Sequence, residues 1–123
     1  MRYLTDRKRA AGLGAAKSGT DHLWGMHVSS IGLIILVPLF VFTFGPILGS
    51  SYEEVVAYYA HPWPAAIAAL TLAVGMIHFK NGAQEAILDY MHGASARLTI
   101  ILVTCLAYGI AGVGIFSLIR LAL

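Results

Sequence analysis

From Leu98 to Ile119 the chain runs for 22 residues without one charged side chain. As an α-helix this stretch is about 33 Å long, enough to cross a bilayer hydrocarbon core of about 30 Å. Thr and Ser aside it is apolar all round, so it offers water no polar face. A soluble three-helix bundle is therefore excluded. Composition agrees: of 123 residues 59% are hydrophobic and 11% charged, where a soluble domain carries about 25% charged residues. The expected fold is an all-α integral membrane protein, one membrane domain over 1–123, with three transmembrane helices at about 22–44, 64–90 and 95–121.

The first span has an uninterrupted apolar core, Ile31–Phe44. Pro38 inside it predicts a kink that neighbouring helices can accommodate. Thr20 or Asp21 is placed to cap its start, and Gly45-Pro46 to stop it. Pro64 suits the first turn of the second span. Arg2, Arg7, Lys8, Arg9 and Lys17 make the first 19 residues a basic arm, which puts the N-terminus on the cytoplasmic side. The loop at 45–63 holds Glu53 and Glu54 and no Lys or Arg, so it falls outside, and three crossings leave the C-terminus periplasmic. Trp24, Trp63, Tyr52, Tyr58 and Tyr59 sit near span ends, as an interfacial aromatic belt would. A cleavable signal peptide is not expected, because the first apolar run begins late and no small-residue cleavage site follows it.

The charge balance, +2 overall, gives no case for nucleic acid; the basic arm suits the lipid bilayer surface or a docking subunit. Gly12–Thr20 lacks the glycines and the preceding strand of a phosphate loop. The single cysteine, Cys105, can form no internal disulfide. The second span carries the chemistry. Ionisable groups at membrane depth are costly and usually functional, and His78, Gly82, Glu85 and Asp89 share one face: eleven residues from His78 to Asp89 return to within about 20° of the start, about 16 Å along the axis. Lys80 points the other way. Glycines a turn either side of His78, at Gly75 and Gly82, leave room for a flat cofactor, and a neutral imidazole can ligate heme iron. The same histidine can equally serve as a hydrogen-bonding group between helices, and Gly82 as a packing glycine. Glu85 has a partner either within the chain or across an interface. Asp89 and Tyr90, at the inner end of the face, can hydrogen-bond and protonate a quinone carbonyl.

The segment His78-Phe-Lys-Asn-Gly82-Ala-Gln-Glu-Ala-Ile-Leu-Asp89-Tyr90 resembles the signature of succinate dehydrogenase hydrophobic membrane anchor subunits: a histidine, a glycine four residues on, and an Asp-Tyr pair at eleven and twelve. Ser18-Gly-Thr-Asp-His22-Leu-Trp24, ahead of the first span, resembles the family's corresponding segment. The resemblance implies that His78 is an axial ligand of heme b, the iron's second ligand coming from a cytochrome b-type membrane subunit, with Gly82 packing beside the heme. It implies that Tyr90 hydrogen-bonds ubiquinone with Asp89 beside it. It also implies an iron–sulfur subunit and a flavoprotein subunit on the cytoplasmic face of a bacterial inner membrane. This chain would then be a non-flavin subunit of an oxidoreductase, with no succinate-oxidising site of its own. Where the family often has an arginine near the top of the first span, this chain has His27, which could reach heme propionates or the quinone site. The alternatives are the anchor of a fumarate reductase, another small b-type cytochrome subunit, or a structural membrane subunit without cofactor.

Overall fold

The computed structural model describes residues 5–12 and 19–123; Arg2, Lys17 and Ser18 of the segments discussed above lie outside them. The described residues form five α-helices and one short 3-10 turn: α1 (Asp6–Ala11), α2 (Gly19–Phe44), the turn at Gly45–Ile47, α3 (Tyr52–Tyr59), α4 (Pro62–Tyr90) and α5 (Gly93–Ala122). Three of them, α2, α4 and α5, are long and apolar enough to cross a membrane. They carry the three spans expected from hydropathy.

Helix boundaries follow local chemistry. Because α2 begins at Gly19, Thr20 and Asp21 lie inside its first turn rather than capping it; Asp21 there still favours the positive end of the helix dipole. The helix is assigned without a break through Pro38 and gives way to the 3-10 turn at Gly45-Pro46. α4 starts two residues ahead of Pro64, at Pro62. Both prolines fall where the first-turn N–H groups have no helical partner, so their missing donors cost nothing. Only Met91 and His92 separate α4 from α5, so the two helices must run antiparallel. Gly93 turns the chain with φ of 69°, a left-handed conformation that side chains beyond glycine resist.

Within the stretch expected as an outside loop, α3 is an additional helix. Ser51 caps it with a reciprocal pair of bonds: Glu54 N–H donates to Ser51 Oγ at 3.3 Å, and Ser51 N–H donates to Glu54 Oε2 at 2.8 Å. The helix lays Tyr59 against Ala65 and Ala68 of α4, with Phe40, Phe44 and Leu118 around them. Tyr58 O–H donates to the Thr43 carbonyl at 2.8 Å, tying α3 to the end of α2. Burial, and next to it the Tyr58 phenol, push the Tyr59 phenol above its ordinary pKa. The chain's own core thus lies at the α3 end. Among the described residues the opposite end, where α2 begins and α4 finishes, has no such plug.

Large apolar side chains such as Ile34, Phe42, Val113 and Phe116 remain exposed along α2 and α5. Lipid or partner subunits are the only surroundings in which such faces are stable. Ala107, in contrast, is 1% exposed. Enlarging it to leucine should destabilise the folded chain by about 1–3 kcal/mol through overpacking, whereas Val113→Leu, 69% exposed, should be near neutral. Thermal unfolding of the two variants in detergent checks the contrast.

Candidate functional site

The polar face of α4 is covered by α2, rung by rung. His78 Nδ1 lies 3.0 Å from Ser29 Oγ. Toward the end of α4, a Cβ at Gly82 would touch Met26 Cε, and Glu85 Oε1 lies 2.8 Å from His22 Nδ1. In the other direction, a Cβ at Gly75 would reach the Leu33 side chain, and one at Gly32 the Val74 side chain. Every step up α4 is matched by a step back down α2, as antiparallel helices in close contact require. Small residues on both sides let the backbones approach, as is common between membrane helices.

His78 is half-buried, and Ser29 is only 7% exposed. The Ser29 hydroxyl also lies 2.9 Å from each of two carbonyls of its own helix, Gly25 and Met26. Among the described residues His78 Nε2 has no hydrogen-bond partner. No group of three or more His, Cys, Asp or Glu side chains able to hold a metal ion occurs among them either. With Nδ1 held at Ser29, Nε2 is the ring nitrogen left open to a ligand.

Glu85, open in the sequence reading, has its partner within the chain. His22 is that partner; its Nε2 is buried without a hydrogen bond among the described residues. Asp89 and Tyr90 follow on the last turn of α4, both exposed, Tyr90 at 87%. Among the described residues neither side chain has a hydrogen bond or ion pair. A Cβ at Gly82 would meet only the Met26 side chain, in ordinary contact at 3.6 Å.

His27 stands apart from this row. Two residues from Ser29, it is about 200° round the helix, so it faces away from His78. It is exposed, and its Nδ1–H donates to the Leu23 carbonyl at 2.8 Å. With Thr20, Asp21, Leu23 and Trp24 it lines an open cleft of about 410 Å³ on the far side of α2. The structure does not bring His27 and His78 together.

Ser29 and His22 are the residues that the sequence reading passed over. The signal for Ser29 was present: Gly25, Ser29 and Gly32 form a small-residue stripe at helical spacing on α2, the pattern of a close-packed membrane helix.

The family model described as succinate dehydrogenase/fumarate reductase transmembrane subunit matches residues 1–114. The chain belongs to that family. It is 40% identical over 123 residues to the succinate dehydrogenase hydrophobic membrane anchor subunit of Paracoccus denitrificans, covering 100% of this chain and 95% of the relative. No solved structure matches. Membership of a transmembrane subunit family accords with the row of polar contacts between α2 and α4: a membrane subunit can bury such groups only where they partner one another.

The His22–Glu85 contact joins a partly exposed imidazole to a carboxylate whose side chain is 56% exposed, so it contributes little on its own. A double-mutant cycle of His22→Ala and Glu85→Ala, read by thermal stability, should return a coupling of about 0.5 kcal/mol. Fully additive effects would mean that the pair contributes nothing.

Proposed function

We propose that the chain is the membrane anchor of a succinate:quinone oxidoreductase, in which His78 ligates heme b and Tyr90, with Asp89, forms part of the ubiquinone site. The observation that carries this reading is the state of His78: a histidine within a membrane span, engaged through Nδ1 and, among the described residues, without a partner at Nε2. This is the arrangement a heme-ligating imidazole needs, because the ligating nitrogen must carry its lone pair while the other nitrogen is held. When bound, the heme supplies a one-electron centre inside the membrane. This chain's residues do the holding: α2 fixes the imidazole and α4 sets its depth.

Asp89 and Tyr90 lie eleven and twelve residues further on, about 16–18 Å along the same helix. Reduction of a quinone takes up two electrons and two protons. A phenol O–H can donate to one quinone carbonyl, and the neighbouring carboxylate can hold or pass a proton at that end of the site. The exposure of both side chains suits a site that is completed by other subunits. By this reading those would be a cytochrome b-type membrane subunit, which would supply the iron's second ligand, and iron–sulfur and flavoprotein subunits, where succinate would be oxidised. The basic arm would lie on the cytoplasmic side of a bacterial inner membrane, the C-terminus would be periplasmic, and the Asp89–Tyr90 end would face the docking subunits. His27, on the other face of α2, is left for a propionate or a partner's polar group. The family description covers fumarate reductases as well, and the direction of turnover of the purified complex separates the two.

Tyr90→Phe should lower succinate–quinone reductase activity by roughly tenfold, the rate equivalent of losing one hydrogen bond of about 1.4 kcal/mol. Succinate oxidation by an artificial acceptor should be little changed. An equal fall in both activities would trace the defect to assembly and remove Tyr90 from the quinone site.

A further inference from the structure

We infer that Ser29 is the positioning residue for His78: its hydroxyl fixes the imidazole as the Nδ1–H tautomer and so keeps the lone pair on Nε2. Ser29 Oγ has three close polar neighbours: the Gly25 carbonyl at 2.9 Å, the Met26 carbonyl at 2.9 Å and His78 Nδ1 at 3.0 Å. A carbonyl oxygen only accepts, so both backbone contacts require Ser29 to donate, and its single proton is shared between them. Only lone pairs remain to face the imidazole, and Nδ1 must therefore donate. Were Nδ1 the acceptor, the Ser29 proton would turn to it and set the hydroxyl lone pairs against the Gly25 carbonyl and against the Met26 carbonyl, which would keep the Ser30 hydroxyl as a donor at 2.8 Å. At a site 7% exposed no water relieves that mismatch, and an unmatched buried polar contact is costly.

The contact also bridges two spans. Ser29 is on α2 and His78 on α4, 49 residues apart in sequence. The ring is thus held by a different helix from the one that carries it, and its rotation is restrained as well as its tautomer. Hydrogen bonds of this kind to metal-ligating histidines typically alter metal affinity by 10–100-fold when removed. The functional meaning of the inference rests on the heme-ligand reading above; the tautomer itself does not.

Two measurements separate the inference from that reading. The first is the ¹⁵N spectrum of histidine-labelled full-length chain in lipid, without added heme, with His78 assigned by the signal lost in His78→Gln. The wild-type chain and Ser29→Thr should show the Nδ1–H tautomer at His78, and Ser29→Ala should lose that preference. A wild-type His78 protonated at Nε2, or a Ser29→Ala spectrum identical to wild type, would overturn the inference whether or not heme binds. The second is heme retention and midpoint potential of the assembled complex. Ser29→Ala should hold heme about tenfold more weakly and shift the potential to more positive values, since an imidazole that no longer donates is a poorer electron donor to ferric iron. Ser29→Thr should restore both. If Ser29→Ala and Ser29→Thr behaved alike, the hydroxyl would have no positioning role. A wild-type complex without heme would defeat the heme reading and leave the tautomer to the first measurement.

Discussion

The close antiparallel pairing of α2 and α4 is the contact on which the other features depend. A membrane helix with a histidine and a glutamate along one face cannot present that stretch to hydrocarbon, where each unsatisfied polar group costs several kcal/mol. α2 covers it. Ser29 meets His78 and His22 meets Glu85, and between these polar contacts Gly82 admits Met26. Glycine and serine on α2 and glycine on α4 make this possible, because larger residues would hold the backbones too far apart for a serine hydroxyl to reach an imidazole.

The two ends of the bundle are built differently. At one end α3 folds over the helix termini, with Tyr59 buried against Ala65 and Ala68 and Tyr58 bonded to the end of α2. That end is fixed by the chain itself. At the other, Asp89 and Tyr90 stand exposed on the last turn of α4. On the function proposed above, this asymmetry has a use: a self-sufficient clamp holds the helices in register, and the Asp89–Tyr90 end would be left for other chains to complete.

Much of this was legible in the sequence. The three spans follow from hydropathy because nothing but a bilayer or a partner can accommodate Leu98–Ile119. The stripe from His78 to Asp89 follows from helical periodicity on a single element. Partnerships between elements were harder to read, because periodicity gives the face of a helix but not the register of the helix opposite. The sequence therefore named Glu85 without its partner His22, and weighed His78 without Ser29. The small-residue stripe at Gly25, Ser29 and Gly32 would have supplied the missing face. The third helix-forming signal, Ser51 and Glu54 three residues apart, is a capping box, obscured because the segment reads by charge as an outside loop. Thr20 and Asp21 failed as caps because the helix already includes them.

The central claim is that α2 and α4 together present His78 to heme iron. It is tested most directly by the reduced-minus-oxidised visible spectrum of the complex that co-purifies with this chain in mild detergent, wild type against His78→Ala. The account predicts a b-type spectrum from the wild type together with flavin- and iron–sulfur-containing partners. It predicts that this spectrum is lost or markedly weakened in the variant while the partners are retained. A b-type spectrum of unchanged intensity and position in His78→Ala, or an assembled wild-type complex with no heme, would contradict it.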